Sequence, residues 1–477
     1  MNIIGRDNEL KLLTSIRESR EAEFVALYGR RRVGKTYLVE EFYNNSFAFH
    51  VVGISGGKMR DQLNAFRAAM NRHGGTRKKA YTGWQEAFDE LIELLSSRGV
   101  ETDPMSGKRI VFFDEVPWLD TPKSNFSTWF EYFWNTWGHA QKDLVLIACG
   151  SASSWIKRKL CQDKAGLYRR VTREINLQPF SLHECEEYCR DYARLGWTRK
   201  QVVEAYMVFG GIPQYYKMLR PELSLAGNID LLCLSQAGPL RGEFDAMLSA
   251  LYAAPAAYVA VLGVIAQSRA GVSRTDLNRD KRLPSDKELS KVLSDLTACG
   301  FVREFHKAPR KKYGLHYQLV DPFVRFHFDV IEPRRVQKWV DFVGTPAHSV
   351  WAGYAFELVC LLHVRLVKRA LGIEGVVSDE YAWRSSADAE RGAQVDLIID
   401  RKDDLIELCE MKYCRGEFEI DAEYAAKLRN KAEAYRSEHP SVKKAIHVVM
   451  VTLNGVVHNS YFREVVSAEV DGDALFG

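Results

Sequence analysis

Three short runs of the chain are apolar at every position and carry no helical stripe: residues 24–28 (FVALY), 110–113 (IVFF) and 144–148 (LVLIA). Uninterrupted apolar runs of this length predict strands covered on both faces, as in a parallel sheet packed between helices. Each run ends in small or charged residues, namely Gly29, the pair Asp114-Glu115, and Gly150-Ser151. Residues 37–43 follow the first run as a helix. Further helices are predicted over 258–267, 273–280 and 285–299. The last of these carries Leu289, Val292, Leu293 and Leu296 on one face, with Gly300 as its C-cap. Two strand-like segments, 301–306 and 313–320, complete a winged-helix order of three helices and a hairpin. Near the C-terminus, residues 395–400 and 405–412 predict two strands joined by a turn at 401–404. A helix over 422–436 and a strand over 445–453 come after them.

At 477 residues the chain is too long for one hydrophobic core, so two to four domains are expected. Hydrophobic residues make up 46% and charged residues 27%, the balance of a globular protein. The net charge of +4 places any nucleic-acid surface in a local patch rather than in the whole molecule. The nine cysteines are scattered with no C-x-x-C pair, which predicts buried thiols in a reducing compartment. The N-terminus lacks the pattern of a signal peptide, and the apolar run 258–266 is far too short to cross a bilayer. The expectation is a soluble, cytoplasmic protein with no membrane partner.

The strongest chemical signal follows the first strand: Gly29-Arg30-Arg31-Arg32-Val33-Gly34-Lys35-Thr36, then Tyr37 in the helix. The two glycines let backbone N–H groups curl around phosphate oxygens. Lys35 supplies charge to the β and γ phosphates, Thr36 a hydroxyl to Mg²⁺, and the helix N-terminus its partial positive charge. Asp114 at the end of the second strand is placed to hold the Mg²⁺ water shell, and Glu115 to polarise the attacking water. Ser151 after the third strand is placed to sense the γ-phosphate, although Gly-Ser is also ordinary turn chemistry.

These residues and their order resemble the archaeal-type ATPases of the AAA+/STAND group of P-loop proteins. Ile4-Gly5-Arg6 with Glu9 matches that group's opening segment, and the resemblance implies that Gly5 and Arg6 pack beside the adenine and ribose. Arg170 resembles the group's arginine after the third strand, although Arg169 stands where a glycine is expected. Gly210-Gly-Ile-Pro213 resembles its G-x-P turn, with Pro213 against the base.

The winged-helix segment offers Ser285, Asp286, Lys287, Ser290 and Lys291 on the outer face of its third helix, and a basic tip at Arg310-Lys311-Lys312. Such a face meets a major groove and such a tip meets phosphate. The same module also serves as packing behind P-loop domains, and both readings stand.

In the C-terminal third, Asp396 and Glu410 lie across a hairpin-length connection, and Glu410 and Lys412 share one strand face. Two carboxylates and a lysine so placed bind Mg²⁺ and steady a hydroxide for phosphodiester cleavage. Without a cation the two acids repel, so both are expected to have raised pKa values. The pattern resembles the D…E-x-K core of the PD-(D/E)xK nuclease superfamily and the C-terminal domain attached to archaeal-type ATPases. Glu357 matches that superfamily's preceding helical glutamate, and some members only bind.

The fold expected is therefore α/β: a P-loop NTPase with a doubly wound parallel sheet (1–240), a winged helix (250–335) and a restriction-endonuclease-like α/β domain (340–470). Glu115, Arg170, Glu357, Asp396, Glu410 and Lys412 are the expected catalytic residues. Thr36, Asp114, Asp396 and Glu410 are the expected metal ligands. ATP, Mg²⁺ and DNA are the implied cofactors and partners, with a homo-oligomer also compatible. The rival is an ATP-switched DNA-binding or regulatory protein whose last domain does not cleave.

Overall fold

The computed structural model describes residues 3–162, 170–268, 271–306, 314–385 and 393–477. Its chain divides into two compact units. The first comprises Met1–Pro179 with the short segments Met247–Pro255 and Ser294–Gly300, and the second comprises the remainder.

The first unit is built on a five-stranded parallel sheet. Its strands are β1 (Glu23–Tyr28), β2 (Phe49–Val52), β3 (Arg109–Asp114), β4 (Leu144–Gly150) and β5 (Arg173–Asn176), in the order β2-β3-β4-β1-β5. The three apolar runs are its three central strands, and every residue of β1, β3 and β4 is buried. Alternate side chains serve opposite faces. Phe24, Phe49, Val111, Phe113, Leu144 and Leu146 join one aromatic-rich core with Phe66, Trp84, Phe88, Phe126, Phe130 and Trp134. Those partners come from the helices Met59–Arg72, Trp84–Ser96 and Phe126–Thr136. A parallel sheet places the C-terminal ends of its strands along one edge; Gly29 and Ser151 follow such ends and Asp114 is the last residue of β3.

The two edge strands were not foreseen. In β5 only Ile175 is buried, and β2 alternates buried with partly exposed positions. The first helix after the phosphate loop runs Lys35–Phe42, two residues earlier than the apolar pattern placed it.

The second unit holds two sheets. A small antiparallel one orders β6 (Val272–Ser273), β8 (Leu315–Leu319) and β7 (Val302–His306). The helices expected around this sheet occur as Pro255–Ala266, Arg274–Arg279 and Asp286–Ala298, and Gly300 at φ 76° follows the third. Leu289, Val292, Leu293 and Leu296 are buried, and Ser285, Asp286, Lys287, Ser290 and Lys291 are exposed. Arg274 ties part of that outer face down, donating to Asp286 Oδ1 (2.6 Å) and Ser290 Oγ (2.7 Å). The basic tip Arg310-Lys311-Lys312 lies outside the described residues.

The larger sheet is mixed: β13 (Ala468–Val470), β12 (Ala445–Thr452), β11 (Leu405–Lys412), β10 (Gln394–Arg401) and β9 (Ser378–Arg384), in that order. β9, β10 and β11 pair antiparallel, while β11–β12 and β12–β13 pair parallel. The helix Pro346–Leu362 precedes β9, and the helix Ala422–Glu438 lies between β11 and β12 in the chain. Among the described residues, no single helix is long and apolar enough to cross a membrane.

Candidate functional site

Two sites gather the chemistry. The first forms where β1 gives way to the helix Lys35–Phe42. Gly29 stands at φ 151°, and a Cβ there would meet the Leu177 carbonyl oxygen at 2.2 Å, so only glycine lets the turn pass so close to that backbone. Gly34 (φ 93°) and Arg32 (φ 69°) are left-handed, which curls the loop. A Cβ at Gly34 would meet no atom within 4 Å, so its glycine is required by φ rather than by space. Arg30, Val33 and Lys35 are buried, Arg31, Arg32 and Thr36 are partly buried, and Tyr37 is exposed.

The Lys35 ammonium donates to three acceptors: Gly29 O, Arg30 O and Ser151 Oγ, each at 3.0 Å. Thr36 donates its hydroxyl to Asp114 Oδ2 (2.7 Å), and the Glu115 N–H donates to Asp114 Oδ1 (2.9 Å). Asp114 is buried at the end of β3 with neutral donors on both oxygens. Glu115 follows at φ 48°, and its carboxylate accepts the Ser151 N–H on Oε2 (3.0 Å) and the Ser151 hydroxyl on Oε1 (2.6 Å). Lys35, Thr36, Asp114, Glu115 and Ser151 are thus one connected cluster. Arg6 braces the glycine loop, donating to Val33 O (3.2 Å) and Gln178 O (2.8 Å), and Gly5 beside it is left-handed at φ 61°.

Thr36 and Asp114 converge on one point beside the glycine loop. A hydroxyl and a carboxylate 2.7 Å apart are donors of the type that a Mg²⁺ ion with phosphate and water ligands takes, so this pair fits the ion.

Not every expected residue comes to this cluster. Arg170 is exposed ahead of β5. Because β5 runs parallel to β1 with Arg173 level with Val25, Arg170 lies toward the sheet edge opposite the phosphate loop. Arg169 lies outside the described residues. Pro213 belongs to the second unit, where it opens the helix Pro213–Tyr216. A Cβ on the nearby Gly211 would meet Phe180 O at 1.9 Å, so the glycine pair serves a close backbone approach.

The second site lies on the β10–β11 hairpin. Leu397 pairs with Cys409, so the next step of the register sets Asp396 beside Glu410. The pairing of β10 with β9 shifts between Val395 and Ile398, a bulge that re-aims Asp396, and its Oδ2 accepts the Met411 N–H (3.3 Å). Glu410 is buried. Its Oε1 accepts from Lys412 (2.9 Å) and the Tyr424 hydroxyl (2.9 Å), and its Oε2 from Lys431 (2.5 Å). Glu357, half-buried in the helix Pro346–Leu362, lies close enough for its charge to act on Lys412 and Tyr424.

The expectation that both acids are raised is corrected for one of them. Burial, then the Glu410 charge, pushes Asp396 up to about 6. Burial alone would raise Glu410 too, but Lys431 and Lys412 outweigh it and hold that carboxyl below its ordinary value. Lys412 is raised although burial opposes it, because Glu410 and Asp396 favour its charged form. Lys431 and Tyr424 had no signal in the hairpin motif; both come from the helix Ala422–Glu438 packed over it.

Asp396 and Glu410 are hard oxygen donors of the right type for a divalent ion, but both Glu410 oxygens already carry protein donors. Among the described residues no group of three or more His, Cys, Asp or Glu is placed to hold a metal. A divalent ion at this pair would compete with Lys412 and Lys431 for the Glu410 carboxylate.

Comparison with known proteins separates the two sites. Over 336 residues the chain is 25% identical to an uncharacterized protein of Methanocaldococcus jannaschii, covering 69% of each. Two solved structures are also similar. The Walker-type ATPase of Pyrococcus abyssi is 18% identical with a TM-score of 0.45, over 69% of this chain and 97% of that one. The ORC2 protein of Aeropyrum pernix, in ADPNP and ADP complexes, is 12% identical with a TM-score of 0.43, over 70% and 96%. Residues 3–219, which contain the whole first cluster, match the model of a family described as an ATPase domain predominantly from Archaea. The N-terminal part of this chain, with the whole first cluster, is thus similar to that ATPase-domain family.

Proposed function

We propose that this protein hydrolyses ATP at the Gly29–Thr36 loop and uses that cycle to act on DNA through its winged-helix and C-terminal modules. The observation that carries the first half is the connected cluster of Lys35, Thr36, Asp114, Glu115 and Ser151 at one sheet edge. In this reading Lys35 binds the β and γ phosphates and the loop N–H groups cradle them. Thr36 and Asp114 would hold Mg²⁺, which supplies charge neutralisation to the phosphates when bound. Glu115 orients the attacking water and accepts its proton, and Ser151 contacts the γ-phosphate. Gly5 and Arg6 would face the base and ribose. Arg170, away from the loop of its own chain, would reach phosphates only across a homo-oligomer.

The C-terminal hairpin is read as a nuclease centre. Asp396 and Glu410 would hold a divalent ion, which supplies Lewis acidity when bound. Lys412 would stabilise the attacking hydroxide or the charge on the phosphate, with Glu357 assisting. The adjacency of two carboxylates and a lysine on one hairpin supports this. The Lys431 clamp on Glu410 favours the rival, a phosphate-binding but non-cleaving domain. Incubating supercoiled plasmid with the protein and Mg²⁺ or Mn²⁺, with and without ATP, separates them. Nicking that disappears in Asp396→Ala supports the nuclease, and intact plasmid with retained binding supports the rival.

A further inference from the structure

A carboxylate offers about four lone-pair sites, and protein donors take three of them on Glu410. Lys412 and Tyr424 share Oε1, whereas Oε2 accepts from Lys431 at 2.5 Å and, among the described residues, from nothing else. The Lys431 charge also acts on Asp396. A single ammonium thus serves both acids that a divalent ion would have to bridge. Lys431 does not belong to the hairpin motif. It reaches Glu410 from the helix Ala422–Glu438, its side chain is 18% exposed, and its flexible four-carbon stem lets the ammonium swing between protein and solvent.

With Asp396, Glu410, Lys412 and Lys431 all charged, the four side chains sum to zero. A divalent ion arriving alone would leave uncompensated positive charge around the buried Glu410. A phosphodiester arriving alone would add a negative charge beside two acids. Arriving together, the two offset each other. We propose that Lys431 is an exchangeable counter-cation that makes the two ligands depend on each other: it neutralises Glu410 before either binds, and passes to a DNA phosphate when a divalent ion joins the acids. The inference rests on the reading of the hairpin as a divalent-ion site. It goes beyond that reading because it gives a role to a lysine outside the motif and couples the ion to the phosphate through it. By reciprocity, DNA tightens the ion by the same factor as the ion tightens DNA.

The test is calorimetric titration of the full chain with Ca²⁺, a hard cation that takes oxygen ligands, with and without a saturating short DNA duplex. Binding at the hairpin is the part lost in Asp396→Asn, which sets aside any ion taken by the phosphate loop. Wild type should bind Ca²⁺ about tenfold tighter with the duplex, within the range of coupled sites. Lys431→Gln should bind Ca²⁺ about tenfold tighter than wild type without DNA, and its gain from the duplex should shrink to within a few-fold. Lys431→Arg keeps the charge and should keep the weak DNA-free binding. Equal Ca²⁺ affinity of wild type and Lys431→Gln without DNA would overturn the exchange. An undiminished gain from the duplex in Lys431→Gln would overturn it as well, since the phosphate would then act without the lysine. Either result leaves the divalent-ion site standing. Absence of Asp396-dependent Ca²⁺ binding in both proteins, with and without DNA, would reject that site itself and the exchange with it.

Discussion

In the N-terminal site the buried acid Asp114 is satisfied by a hydroxyl and a backbone N–H, whereas in the C-terminal site the buried acid Glu410 is satisfied by two lysine ammonium groups and a phenol. Neutral donors leave the charge of Asp114 uncompensated within its own cluster. The Lys35 ammonium is spent on carbonyls and a hydroxyl rather than on an acid. Positive and negative charge are thus kept apart, as a loop that must greet a metal-bound polyphosphate requires. On the hairpin the opposite charges are already joined. A site whose charges are separated is organised for a ligand that bridges them. A site whose charges are paired must first be opened.

This contrast predicts different responses to removing the acid. Glu410→Ala strands Lys412 and Lys431 beside each other and should cost about 3 kcal/mol. Asp114→Ala removes two hydrogen bonds from neutral donors and strands no opposite charge, so it should cost about 1–2 kcal/mol. Denaturant melts of the two variants compare them directly, and equal losses would erase the distinction.

A smaller effect separates the two acids of the hairpin. Asp396, raised to about 6 from an ordinary value of 3.8, holds its proton more tightly folded than unfolded. Stability should therefore fall as pH rises from about 4 to about 6 and level off above, by on the order of 2 kcal/mol. Glu410 is shifted the other way, so its stabilisation is complete above its unfolded value of 4.5 and is lost as pH falls below it. Asp396→Asn should abolish the fall between pH 5 and 6 in thermal melts. A variant that keeps the wild-type slope there would place the titration elsewhere.

Much of this was legible in the chain. The three central strands are all-apolar because both of their faces are covered, and a run with no alternation is hard to read otherwise. The edge strands escaped because His50, Arg173, Glu174 and Asn176 sit where one side of the sheet is open. At the hairpin, the spacing of Asp396, Glu410 and Lys412 is a local property of two paired strands. Lys431 and Tyr424 reach Glu410 only through the way a helix docks on the sheet, which no short window of sequence encodes. Lys431, acting with Lys412, lowers the Glu410 carboxyl where repulsion from Asp396 alone would raise it. The Ser151 grip on Glu115 was hidden for the same reason, since it joins the ends of two different strands.

In the proposed ATP chemistry of the first cluster, phosphate binding and water activation fall to different side chains. Its most direct test is calorimetric ATP affinity and phosphate release measured together for Lys35→Ala and Glu115→Gln. Lys35→Ala should lose tight ATP binding, while Glu115→Gln should bind ATP at least as well as wild type and lose roughly 10²–10³-fold in turnover, the range for removing one positioned catalytic group. Unchanged ATP affinity in Lys35→Ala, or undiminished phosphate release in Glu115→Gln, would contradict it.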